Sequence, residues 1–558
     1  MKYLIDRLEE ATNTNKTFWN FPAENKKLSL WHLMTISKFY AENLVALGIN
    51  KQDRVGLVMN NSSDYIALLL AIWRINATAV PLRPRGSQYT QTDQHLKYCD
   101  QICHFSLIIY DDLTGQEALN DWMTGSTRLA ISLDKFQQLE SPPISSPHCP
   151  IAANDIAILQ FSSGSTGRPK GVIVNHAMMM AQLKNITENH TLSRRGLAPE
   201  SMASWTPIHH DLGLFIGVLA PMYCNCSNLL APPSYYMRNP VRWFALLSEH
   251  KVDLTFSTNS ALATTFNMIS RLHKRDDIDL SRLHIYLAAE KISPITVKKC
   301  WEIFEPLGLP KEQIHIGYGM AENTLGCTCT NTQYISINSF LLTEQKALIP
   351  VTPDTLGSIE LVAVGHPDKD HDISVRDELG ITLPELTLGE IYIKSPCISP
   401  GYFNNPSLST LTFSNGYFRS GDLGFFYKGE LYFYARQDDM IILGGRNIIP
   451  QDIEECVEML DFIRPTTSCL ISKENHASGT QELVLLIEAN VHADPDALKK
   501  QRLSVQKQAM NDLNVLLQHV IFCKKGAVEK TSSGKKRRKV IRERLLNKQL
   551  KILGADYA

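Results

Sequence analysis

The segment Phe161-Ser162-Ser163-Gly164-Ser165-Thr166-Gly167-Arg168-Pro169-Lys170-Gly171 follows the apolar run Ile156–Gln160 and carries residue types that hold a phosphate. Gly164, Gly167 and Gly171 can take backbone conformations that a side chain forbids, so N–H groups can close around an anion. Ser163, Ser165 and Thr166 add hydroxyl donors, and Lys170 adds a charge. The pattern is not G-x-x-x-x-G-K-[ST], because Pro169 stands where that loop needs glycine. Taken alone, such a composition is more often a solvated Gly/Ser turn between two strands.

Other stretches have chemical potential. Ile316-Gly317-Tyr318-Gly319-Met320-Ala321-Glu322 sets an aromatic between glycines, able to offer a flat face to a base, with Glu322 able to reach a cation. Trp205-Thr206-Pro207-Ile208-His209-His210-Asp211-Leu212-Gly213-Leu214 places two imidazoles beside a carboxylate, and a helix start with Asp211 near its cap explains it as well. Ile285–Glu290 reads as a strand ending in small residues, which leaves room for a ligand. Thr531-Ser532-Ser533-Gly534 forms a second glycine loop that could carry the Lys535 ammonium to a distant phosphate, whereas Lys536 to Lys539 read as a solvated face or tail. Cys224-x-Cys226 and Cys327-x-Cys329 have the wrong spacing for a zinc site and read as buried free thiols.

These groups need elements to position them. Ser29 caps a helix that Gly48 stops; Arg54–Met59, Ala77–Leu82 and Leu107–Tyr110 read as buried strands, with a helix opened by Asp64 between the first two. Strands alternating with helices imply parallel β-α-β units covered on both faces. Glu140–Pro150, rich in Ser and Pro, reads as a surface connector, and Arg436–Asp439 as a polar break between two strand patterns and hence a domain boundary. A chain of 558 residues needs two or more domains. Its net charge of -1 gives no footprint for nucleic acid, and the run Tyr65–Trp73 is too short to span a membrane. Lys2, Asp6 and Arg7 interrupt any signal-peptide core, and scattered cysteines suit a reducing compartment, so a cytoplasmic address is expected.

Taken in order, these segments resemble the adenylate-forming superfamily from about Ser29 to Arg538. Within it, Trp205-x-Pro207-x-x-His210-Asp211-x-Gly213-Leu214, Tyr318–Glu322 and Gly445–Glu454 are similar to the fatty acyl-AMP ligases. The resemblance implies a mixed α/β and α+β fold: a large layered adenylation domain (residues 1–435), a hinge (436–439) at Asp438, and a small mobile α+β domain (440–558) carrying Lys535. It implies ATP-dependent activation of a fatty acid to acyl-adenylate, then transfer to a phosphopantetheinylated acyl carrier protein. An insertion over 334–362 would restrain the small domain and disfavour CoA.

By resemblance, Lys535 and Glu322 are catalytic, and Thr166 and Glu322 hold Mg²⁺. Ser163, Gly164, Ser165, Thr166, Gly167, Lys170, Ala289, Glu290, Tyr318, Gly319, Met320, Ala321, Asp422 and Arg436 bind the nucleotide. Ile208, His210, Gly213, Leu214 and Thr258 face the acyl group. Glu529 stands where the family usually has proline, and Gly444 where arginine is common. An acyl-CoA synthetase, or a nucleotide-binding scaffold without catalysis, are the competing readings.

Overall fold

The computed structural model describes residues 2–11, 17–84, 92–111, 129–140, 149–162, 169–189, 199–270, 277–338, 348–443, 446–475, 480–489, 494–530 and 535–553. Ser163 to Gly167, Gly444 and most of the Glu140–Pro150 connector lie outside them.

A helix that is apolar all round has to be covered on every side. The helix Ser63–Arg74 is, with Ile66 to Trp73 fully buried. Ser62 rather than Asp64 caps it, the Ser62 hydroxyl accepting from the Tyr65 N–H, while Asp64 accepts from the Tyr40 hydroxyl at 2.6 Å. Trp73 Nε1 donates to the Ala157 carbonyl at 2.8 Å and so ties this helix to the strand that leads into the phosphate-loop segment. Ser29 caps the helix Leu30–Ala46 as expected, and Gly48, at φ +81°, follows its end.

Two sheets flank this core. In the first, Arg54–Val58, Thr78–Leu82, Leu107–Tyr110, Leu129–Ser132 and Ile156–Ser162 run parallel, and Lys170–Asn175 returns antiparallel beside the last. The second has a parallel half containing Leu254–Ser257, His284–Leu287 and Ile314–Gly319. It continues antiparallel through Gly326–Asn331, Ser358–Pro367 and Glu430–Arg436 to Tyr417–Tyr427. Parallel strands leave a crevice beyond their carboxyl ends, and that is where the candidate residues gather.

At Gln437–Asp439 the chain makes one 3₁₀ turn and enters a smaller unit. There Ser468–Asn475, Thr480–Ala489 and His519–Lys524 form a three-stranded sheet packed with the helices Pro450–Glu458, Pro495–Leu513 and Arg538–Leu546 around separate apolar clusters. The fold is thus the expected mixed α/β and α+β architecture. Lys291 Nζ of the large unit lies 2.6 Å from Asp452 Oδ1 of the small one, both nearly buried. Within 334–362, Tyr334–Asn338 pairs antiparallel with Ser358–Val362, residues 339–347 being outside the described set. Ile335, Ile337 and Leu361 share an apolar cluster with Ile449 at the start of the small unit's first helix.

Two expectations need correction or completion. The basic run is not a solvated face: Lys536 Nζ sits 2.8 Å from Glu454 Oε2, Arg538 grips the same carboxylate, and Arg537 pairs with Glu529, leaving Lys539 as the exposed member. A buried carboxylate far away in sequence converts a run that looks like a tail into a packed face. The thiols behave as expected, Cys226, Cys327 and Cys329 being buried, Cys224 half-buried and all free. Among the described residues no helix is long and apolar enough to cross a membrane.

Candidate active site

Tyr318 closes the strand Ile314–Gly319, and the position after it must be glycine. A Cβ on Gly319 would stand 2.0 Å from the Leu325 carbonyl oxygen, which accepts from the Met320 N–H at 2.7 Å. This tight turn delivers Met320, Ala321 and Glu322 to the crevice. The Tyr318 hydroxyl donates to Asp422 Oδ2 at 2.8 Å. Asp422 and Arg436 are direct cross-strand partners, with Arg436 Nε 3.3 Å from Asp422 Oδ1. Among the described residues no donor hydrogen-bonds that Oδ1, so a buried carboxylate keeps an acceptor in reserve. The charge of Asp422 holds the Arg436 guanidinium above its ordinary range against the opposing effect of burial.

Glu322 lies in the 3₁₀ turn Ala321–Asn323, and its Oε1 accepts from the Tyr402 hydroxyl at 2.9 Å. Burial, then the Glu322 charge, pushes the Tyr402 phenol far above its usual range. Lys170 Nζ lies 5.2 Å above the Tyr402 ring, so one tyrosine spans the end of the phosphate-loop segment and the candidate metal ligand. Among the described residues no hydrogen bond reaches Glu322 Oε2, and a hard carboxylate oxygen of this kind suits a magnesium ion that takes its remaining ligands from water and substrate phosphate. Thr166, its expected companion, lies outside the described residues.

Lys535 enters this crevice from the small unit. A cavity of about 570 Å³ is lined by Lys170, Tyr318, Glu322, Asp422, Arg436 and Lys535, together with His210, Ala289, Gly319, Met320 and Ala321. Burial lowers the Lys535 ammonium below its ordinary range and Arg436 adds to this, while Asp422, Asp211 and Glu290 oppose it. Glu290 lines the adjoining cleft rather than this cavity; its carboxyl is pushed up by burial, and its Oε1 accepts from the Ser260 N–H at 2.7 Å. Asp438 borders both hollows.

The helix-start reading of the histidine motif describes its backbone. Asp211–Leu214 is a short helix with His210 at its cap, and His210 Nδ1 lies 2.5 Å from Asp211 Oδ1. Burial opposes ionisation of Asp211, but His210, the Leu212 N–H and Lys535 together outweigh it and the carboxyl stays low. His209 is held neutral by burial, with Arg83 and His210 adding to the effect.

The apolar side of the cavity differs from expectation. Ile208 and Leu214 are buried in the core, a Cβ on Gly213 would strike the Pro207 carbonyl at 2.2 Å, and Thr258 caps the helix Asn259–Ile269. Of the five residues expected to face the acyl group, His210 reaches the cavity wall. Leu212 and Ile216, four apart on one helical face, stand there in place of Leu214, and Phe256 stands there in place of Thr258. Ile186, Tyr286 and Leu325 complete the apolar wall. Phe256 lies two positions before Thr258, and strand alternation carried past Ser257 was the signal for it. Tyr402, in Gly401-Tyr402-Phe403, carried no such signal.

Residues 8–403 match the AMP-binding enzyme family, and residues 438–555 match the Disco-interacting protein 2-like AMP domain. The chain is 28% identical over 543 residues to the long-chain-fatty-acid–AMP ligase FadD26 of Mycobacterium marinum, covering 90% of this chain and 89% of that one. A Mycobacterium tuberculosis protein, fadD25, whose name carries fatty-acid–CoA ligase, is 26% identical over 87% of this chain and 86% of its own. Among solved structures, one from a study of fatty acyl-adenylate ligases from E. coli and L. pneumophila superposes with a TM-score of 0.87 at 24% identity, covering 98% of both chains. A fatty acid AMP ligase from Legionella pneumophila gives 0.71 at 26% identity over 99% of this chain and 97% of that one.

Proposed function

We propose, from the premise that this chain belongs to the AMP-binding enzyme family of adenylate-forming enzymes, that it is a fatty acyl-AMP ligase serving an acyl carrier protein. The observation that carries this reading is the cavity in which an ammonium from the small unit meets Asp422, Arg436, Tyr318 and Glu322 beside an apolar wall. In the first step a carboxylate oxygen of the fatty acid attacks the α-phosphorus of ATP. The bond to the β-phosphate oxygen breaks, and acyl-adenylate and pyrophosphate form with no proton transferred.

Both reacting groups are anionic, so the barrier is largely electrostatic. Lys535 sits between them. Tyr318 stacks on the adenine, Ala289 and Glu290 border it, and Asp422 accepts the ribose hydroxyls through the oxygen no protein donor uses. The segment from Ser163 to Lys170 holds the β- and γ-phosphates. Magnesium bound by Glu322 would neutralise charge there, Tyr402 fixing the orientation of that carboxylate.

In the second step the small unit turns about Asp438, and the thiol of a phosphopantetheinyl arm attacks the acyl carbonyl, expelling AMP. The packing of the 334–362 segment against Ile449 supports a restrained small domain and hence a protein carrier rather than CoA. The test is incubation with ATP, Mg²⁺ and labelled lauric acid, followed by a chase with either CoA or a phosphopantetheinylated carrier. Acyl-AMP that accumulates and passes to the carrier alone is the expected result. Rapid acyl-CoA formation would make the protein an acyl-CoA synthetase, and no pyrophosphate release with any acid would leave a nucleotide-binding scaffold.

A further inference from the structure

We infer that Glu454 is a positioning residue for adenylation, aiming Lys535 at the cavity by gripping Lys536 and Arg538, the cations that follow it; this rests on the adenylation reading above. The argument begins with the backbone. Lys530 and Lys536 form an antiparallel bridge, and the Arg537 N–H donates to the Glu529 carbonyl at 2.8 Å, which fixes the chain just before it turns at Arg537 into the last helix, Arg538–Leu546. Lys535 and Arg537 line the substrate cavity, while Lys536, in the bridge, and Arg538, the first residue of the helix, both reach Glu454.

Glu454 is built to hold them. It lies on the helix Pro450–Glu458 with 2% of its surface exposed, and its Oε1 accepts the Leu470 N–H at 2.6 Å, fixing the carboxylate to the small unit's sheet. Lys536 Nζ is 2.8 Å from Oε2, and Arg538 Nη2 donates to the same oxygen at 3.0 Å while its Nη1 contacts Oε1. Burial works against ionisation, yet Arg538 and Lys536 keep the carboxyl below its ordinary range, so both arms are charge-assisted. Stability alone gives weak reason for such a cluster, since apolar residues of similar volume hold a core at least as well. A bidentate grip with a third anchor instead supplies direction.

Glu454 is not on the wall of the cavity where Lys535 meets Asp422 and Glu322; it borders the adjoining cleft with its oxygens taken up by Lys536, Arg538 and the Leu470 N–H, so its effect passes through Lys535. Glu454→Gln is expected to lower kcat for acid-dependent ATP–pyrophosphate exchange by about 10- to 100-fold, as loss of a supporting contact does elsewhere. The KM for ATP stays within about twofold, because the nucleotide contacts are on the large unit. Glu454→Asp recovers part of the rate. Two readouts separate positioning from mere folding. In a Lys535→Ala background Glu454→Gln should change exchange by less than about twofold, residues that act as a unit being non-additive. Transfer from synthetic acyl-AMP to the carrier, which uses another face of the small unit, should keep its wild-type rate.

Should Glu454→Gln not fold, Lys536→Met removes one arm and leaves Arg538 in place. Full additivity with Lys535→Ala, or equal losses in both half-reactions, would overturn the assignment. Wild-type protein without exchange on any acid would remove the adenylation reading and this inference together. An exchanging wild type beside a full-rate Glu454→Gln would remove this inference alone.

Discussion

Replacing Lys535 by alanine removes the ammonium that the small unit brings to the cavity and leaves Arg537 of the same unit in place. A single preorganised donor at a developing charge is worth about 3–4 kcal/mol, so kcat/KM for pyrophosphate release should fall by about 10²–10³-fold. Arg436 and Lys170 remain on the cavity wall, so ATP binding stays measurable. The sign of the pH effect follows from burial, which with Arg436 lowers the Lys535 ammonium below 10.5. The charged form is penalised in the folded protein, a cost fully present below the lowered value and relieved as pH climbs towards 10.5. Activity should therefore fall with rising pH sooner than a free lysine would dictate, and thermal stability near neutrality should hold or rise in Lys535→Ala. Acid-dependent pyrophosphate release measured from pH 7 to 10, with ATP binding by calorimetry and melting curves on the same samples, checks all three. Wild-type release rates in the variant, with ATP bound normally, would remove Lys535 from the chemistry.

Other contacts give sharper local tests. Tyr318→Phe deletes the donor to Asp422 Oδ2 and should weaken ATP binding by about 1–2 kcal/mol while leaving kcat nearly unchanged, as nucleotide titration and initial rates will show. Gly319→Ala forces a Cβ against backbone and should cost about 2–3 kcal/mol in denaturant unfolding, whereas Gly326→Ala, whose nearest neighbour would be Gln182 Nε2 at 3.9 Å, should stay within about 0.5 kcal/mol. Burial, resisted by Lys291 and reinforced by Asp452, pushes the Glu455 carboxyl up to about 7. Its raised folded value means a contribution present below about 4.5 and lost as pH rises through 7, so melting temperature should drop between pH 5 and 8 by the equivalent of about 2 kcal/mol, and Glu455→Gln should flatten that slope.

Local pattern was legible where local physics decides. The strand Leu107–Tyr110 is bounded as its residues suggest, and the all-round apolar run before Arg74 could only be an interior helix. Tyr318 stood out because glycines flank it, Asp422 and Arg436 were named by resemblance, and the structure brings all three to one cavity with Lys535. What the chain could not announce was partnership at a distance. Arg538 looks like part of a solvated run until a carboxylate 84 positions earlier closes on it. The apolar wall was hidden for a related reason: motif proximity singled out Ile208 and Leu214, but the wall is lined by Leu212, in the short helix Asp211–Leu214, and Ile216, in the π-helical stretch Phe215–Leu219 that follows.

The clamp on Glu454 also fixes a distance along the chain. Lys535 directly precedes Lys536, and Lys536 and Arg538 are both held on one buried carboxylate. A residue inserted between Lys535 and Lys536 would leave the anchors seated and move the ammonium by one position, about 3.3 Å of extended chain. The spacing between the ammonium and its anchors is therefore as much a part of the site as the ammonium itself.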